Sequence, residues 1–86
     1  MNKKKEISPE HQQVLDKIGA KLMKMRKESG LSYPKLAHQI GMNKNSYYLI
    51  EQSKNNFGLV NLMLILNYYG ISLSEFFKDV DSLPVL

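Results

Sequence analysis

Apolar residues return at spacings of three and four along most of this chain, the period of an α-helix with one buried face. Leu15, Ile18, Leu22 and Met25 form the first such stripe, with lysines on the other faces. The helix they predict starts near residue 9, where Ser8 serves as N-cap and Pro9 takes the first helical position. Gly30 ends it, because glycine enters the left-handed C′ conformation without a Cβ clash. Ser32 caps a short second helix carrying Leu36, Ala37 and Ile40, with Pro34 in its first turn and Gly41 closing it. After about three residues Asn43 caps a third helix. A fourth runs near residues 59 to 69 and stops at Gly70, and Ser72 with Glu75 makes a capping box for a last helix carrying Phe76 and Phe77. Alternation with period two is missing, so the expected fold class is all-α, five helices and no strand.

The fourth helix is apolar on two sides. Leu59, Leu62, Met63, Leu66 and Tyr69 make an expected core stripe, whereas Val60, Leu64 and Tyr68 recur at i, i+4 and i+8 on another side. That second stripe is either covered by the first helix or the tail Leu83-Pro84-Val85-Leu86, or it is a twofold dimer interface, the favoured reading. The methionines, including Met23, Met25, Met42 and Met63, read as core filler.

Eighty-six residues make one small domain at most. The sequence divides into a flexible basic arm at 1–7, a folded domain at 8–79 and an apolar tail at 80–86. With no cysteine there are no disulfides, thiolate zinc sites, cysteine nucleophiles or CxxC redox chemistry. The first 54 residues hold eleven basic and five acidic side chains, net +6, and the remaining 32 hold Lys78 against Glu75, Asp79 and Asp81, net −2. A one-sided basic surface attracts polyanions, which puts nucleic acid first among partners and anionic membrane second. No apolar stretch follows the amino-terminal lysines, and the longest strongly apolar run, Leu62 to Leu66, is far short of the roughly 18 residues of a membrane span. A soluble cytoplasmic protein is expected. His11 and His38 lie on separate helices with no carboxylate cluster at ligand spacing, and no nucleophile motif or phosphate-cradling glycine loop is present. The expectation is therefore no metal, no cofactor and no catalytic residue.

Helix, Gly41-centred turn, helix is the arrangement in which one helix braces a second in the DNA major groove. Residues 19 to 79 resemble the lambda-repressor and Cro type of helix-turn-helix, the xenobiotic-response-element family. The resemblance runs through Arg26-Lys27-Glu28-Ser29-Gly30-Leu31-Ser32, Leu36-Ala37, Ile40-Gly41-Met42-Asn43, Ile50-Glu51, Lys54, and Gly70-Ile71-Ser72-Leu73-Ser74-Glu75-Phe76-Phe77. It implies a five-helix lambda-repressor-like bundle and binding to double-stranded DNA. At about 100° per residue, Tyr47 and Ile50 of the third helix point inward, and Lys44, Asn45, Tyr48, Leu49 and Gln52 share the outward arc. The resemblance implies that this arc, with Ser46, meets base edges. Lys can donate to guanine, Asn can pair with adenine, and apolar groups can touch the thymine methyl.

Tyr33 stands where the family often has a glutamine that reaches the phosphate or supports the recognition helix. Lys54 and Asn55 are phosphate candidates too, and Lys35 reads more readily as solvated surface. In the resembling family the residues matching Arg26 and Glu51 form an ion pair between the first helix and the recognition helix. Departures are Ser53 in place of a usual glycine, Phe57 in place of a frequent proline, and a recognition helix with one cation and two tyrosines. The function these features imply is a sequence-specific transcriptional regulator, expected to repress by occupancy as a homodimer without a ligand-sensing domain. The alternative is a protein-interaction module, such as a toxin-binding antitoxin, with weak or no DNA binding.

Overall fold

Local hydrogen bonding sets the helix boundaries. The computed structural model describes residues 8–54, 58–78 and 80. Five α-helices follow one another: α1 Pro9–Glu28, α2 Tyr33–Gln39, α3 Lys44–Glu51, α4 Leu59–Tyr69 and α5 Leu73–Phe77. There is no strand among the described residues. Ser8, Ser32, Asn43 and Ser72 all act as N-caps, their side-chain oxygens accepting from backbone N–H groups of the first turn. Glu75 N–H donates to Ser72 Oγ over 3.1 Å, one half of the capping box expected there.

The first four helices end alike. The N–H groups of Leu31, Met42, Lys54 and Ile71 donate back to the carbonyls of Arg26, Ala37, Leu49 and Leu66, five residues earlier. This closure needs a left-handed residue just before the donor. Gly41 supplies it at φ 71° in the turn between α2 and α3, whereas the end of α3 has Ser53 at φ 60°. A side chain there costs about 1–2 kcal/mol, partly offset because glycine loses more chain entropy on folding. Ser53→Gly is expected to stabilise the protein by about 0.5–1 kcal/mol, read as a higher denaturant midpoint at constant m-value. A lower midpoint would mean that the serine hydroxyl contributes more than its backbone costs.

The core is one cluster drawn from every helix: Ile18 and Leu22 of α1, Leu36 and Ala37 of α2, Tyr47 and Ile50 of α3, Leu62, Ile65 and Leu66 of α4, and Phe76 of α5. Val80 is buried with them, so the packed domain extends one residue into the segment assigned to the tail. The basic arm at 1–7, Asn55, Phe57, Asp79 and the tail from 81 lie outside the described residues.

The expected core stripe of α4 needs correction. Leu59 and Met63 are exposed and Ile65 is buried, so the inward face is Leu62, Ile65 and Leu66 with Tyr69 at its edge. The physical reason is that α4 is apolar all round, so its own pattern does not select a face and packing decides. Met63 is accordingly not core filler, whereas Met25 and Met42 do pack against the core. Leu59, Val60, Met63, Leu64 and Tyr68 together make one exposed apolar surface. Among the described residues no helix is long and apolar enough to cross a membrane.

Candidate nucleic-acid interface

Three residues joining Gln39 to the Asn43 cap turn the chain from α2 into α3. Asn43 Oδ1 accepts from Asn45 N–H at 2.8 Å and Ser46 N–H at 3.2 Å, which orders the first turn of α3 and projects its side chains outward. Lys44, Asn45, Ser46 and Tyr48 are exposed, Leu49 and Gln52 half-buried, and Lys54 exposed just beyond the helix. Tyr47, Ile50 and Glu51 face the interior. Lys35 is exposed on α2, and Tyr33 is half-buried at its start.

The two tyrosines flagged separately in the sequence meet in space. The Tyr33 and Tyr48 rings lie with centroids 4.9 Å apart and planes at 42°. Gln52 instead borders a shallow groove between α1 and the end of α3, shared with Asp16, Lys24 and Lys27.

The surface electrostatics are one-sided. Between residues 29 and 74 the chain has a single carboxylate, Glu51. That carboxylate is buried, its side chain 1% exposed against 12% for Arg26. Arg26 grips it with two parallel bonds, Nε to Oε2 at 2.8 Å and Nη2 to Oε1 at 3.0 Å, while Nη1 donates to the Leu31 carbonyl at 2.9 Å. The Tyr47 hydroxyl donates to the same Oε2. The Glu51 hydrogen bonds raise the Arg26 pKa. Burial, reinforced by the bond to Glu51, pushes the Tyr47 phenol well above its usual range. Arg26 therefore stays a cation and Tyr47 a neutral donor, and no exposed negative charge is left on α2 or α3.

Two parts of this brace escaped the sequence reading. Gln12 Nε2 donates to the Ser53 carbonyl at 2.9 Å. Gly19 sits where an added Cβ would lie 2.6 Å from the Glu51 carbonyl oxygen and 2.9 Å from that of Ile50. Gln12, Gly19 and Arg26 are spaced by seven, about two helical turns, so one line of α1 runs along the end of α3. A glycine inside a helix was the available signal, because that position is otherwise a loss against alanine.

The sequence model of the helix-turn-helix family matches residues 22–76. The control protein C.MunI of a Mycoplasma species is 44% identical over 66 residues, spanning 76% of this chain and 89% of that protein. The HTH-type transcriptional regulator PuuR of Escherichia coli (strain K12) is 36% identical over 61 residues, which are 71% of this chain and 33% of PuuR. No solved structure matches the chain.

Proposed function

This chain belongs to the helix-turn-helix family and is a DNA-binding transcription regulator, and we propose that it is a cytoplasmic repressor that occupies its operator as a homodimer. The observation that carries the proposal is the outward side of α2 and α3: Lys35, Lys44 and Lys54 are exposed there, and the one carboxylate is buried and paired. A duplex carries a negative charge about every 1.7 Å of its axis, so a surface without exposed carboxylates lowers the cost of approach. Lys44, Asn45, Ser46, Tyr48 and Leu49 are the side chains proposed to meet base edges, with Gln52 at the margin. Lys54, Tyr33 and Asn55 are proposed to hold phosphates, which set register without specifying sequence.

The dimer proposal rests on α4. Leu59, Val60, Met63, Leu64 and Tyr68 are exposed on a helix with no charged residue. Two copies of a chain with net charge +4 repel each other at long range, so an uncharged apolar face suits a self-complementary contact. Such a dimer would present two α3 helices to half-sites about 34 Å apart.

Titration of random-sequence duplex at several salt concentrations is expected to give a Kd on the order of 10⁻⁴ to 10⁻⁶ M at physiological salt, tightening steeply as salt falls. Lys54→Ala should weaken binding equally on all sequences and lower the salt slope by about one. Lys44→Ala/Asn45→Ala should reduce preference for a selected site, leaving only what Ser46, Tyr48 and Leu49 contribute. Light scattering that found a monomer at micromolar concentration, with and without DNA, would remove the dimer.

A further inference from the structure

Tyr48 lies one turn beyond Lys44 and three residues beyond Asn45, on the same outward side of α3. It is 40% exposed, and its ring leans on the Tyr33 ring with centroids 4.9 Å apart and planes tilted by 42°. Tyr33 in turn packs against the core cluster. The outer ring is thus held against a second ring that the fold anchors, and its orientation is largely settled before any ligand arrives. Side chains ordered in advance lose less entropy on binding.

From this arrangement we infer that the Tyr33–Tyr48 pair is a specificity element that reads the C5-methyl group of a pyrimidine in the major groove. The inference rests on the DNA-binding reading above. The major-groove edge of thymine offers the O4 acceptor and the C5-methyl group. Lys44 and Asn45 provide hydrogen-bonding groups for neighbouring bases, whereas the ring carbons of Tyr48 supply apolar surface. A methyl group seated on that surface leaves water, and the rigid backing by Tyr33 keeps the ring from turning aside. Thymine and 5-methylcytosine carry the same methyl at the same place, so the pair favours both over uracil and unmodified cytosine.

The test uses the full chain and duplex sites selected by it from a random library, resynthesised with uracil replacing thymine one position at a time. One position in each half-site should lose about fourfold in affinity, the equivalent of one methyl group withheld from burial. Where cytosine is placed at that position, methylation at C5 should restore a similar factor. Tyr48→Ala should bind the thymine and uracil sites equally, while Tyr48→Phe and Tyr33→Phe keep the preference. The ratio compares two duplexes on the same protein, so a partly unfolded variant does not distort it. Uracil that is neutral at every position overturns the inference and leaves DNA binding standing, as does a Tyr48→Phe variant that loses as much as Tyr48→Ala, which would assign the contact to the hydroxyl. A chain that binds no duplex overturns the DNA reading and this inference together.

Discussion

Replacing Glu51 with alanine is expected to destabilise the protein by about 3–5 kcal/mol, the usual result of removing one partner of a buried ion pair. Three donors lose their acceptor at once: Arg26 Nε, Arg26 Nη2 and the Tyr47 hydroxyl. The Leu31 carbonyl still accepts from Nη1, but a bond to one neutral carbonyl does not replace a paired carboxylate for an arginine whose side chain is 12% exposed. For a domain of this size the loss corresponds to a fall in Tm on the order of 20 °C. A comparison chain with Arg26→Met, Tyr47→Phe and Glu51→Leu together is expected to melt near the parent, since both charges and the buried hydroxyl that Glu51 accepts from leave together and apolar volume remains. Thermal melts of the two variants by circular dichroism separate the explanations. If Glu51→Ala melts within a few degrees of the parent, the pair is not what joins α1 to α3.

Gly19→Ala is the second large effect, and its sign is opposite to what helix propensity alone gives. Alanine inside a helix is better than glycine by about 1 kcal/mol. At Gly19 the new methyl would fall 2.6 and 2.9 Å from two backbone carbonyl oxygens, those of Glu51 and Ile50, and backbone yields less readily than a side-chain tip. Overpacking of this kind costs about 1–3 kcal/mol, and contact with main chain at the end of a helix belongs in the upper part of that range. The expected net loss is about 2 kcal/mol, roughly 10 °C in Tm. DNA affinity should fall as well if α3 carries the proposed base contacts, because relief requires α1 to move away from α3 while every exposed side chain proposed to meet DNA is unchanged. A variant as stable as the parent would mean that α1 can shift without loss, and the heptad line of Gln12, Gly19 and Arg26 would not be a fixed seam.

Both effects sit at one junction, which explains how the domain presents the outward side of α3. Helix α3 has eight residues, too short to be stable alone in water. Its inward residues Tyr47 and Ile50 join the core, and Glu51 is tied to α1. The outward side is therefore free to carry Lys44, Asn45, Ser46 and Tyr48 without a structural role for each.

Much of this was legible in the sequence because it is local. The caps at Ser8, Ser32, Asn43 and Ser72 and the left-handed endings at Gly30, Gly41 and Gly70 act over five residues or fewer, and residue type at one position is enough to specify them, whereas the ending of α3 at Ser53 carries no such signal. The inward placement of Tyr47 and Ile50 follows from helical period, and Arg26 with Glu51 was reached through the family resemblance. The family itself is identified by positions spread from residue 22 to 76.

The rest depends on how helices lie against one another, which no local pattern states. In α4 apolar residues surround the axis, so period could not choose between Leu59 with Met63 and Ile65 as core, and packing against the other helices chose Ile65. Gly19 acquires its role only when the end of α3 comes close enough to exclude a Cβ. Tyr33 and Tyr48 become a pair only through the turn at Gly41. The sequence by itself determined where each helix begins and where α1, α2 and α4 end, because hydrogen-bonding and backbone preferences are short-ranged. Tertiary structure alone decided which faces meet and how closely, because those contacts join residues distant in the chain and depend on the angles and distances between whole helices.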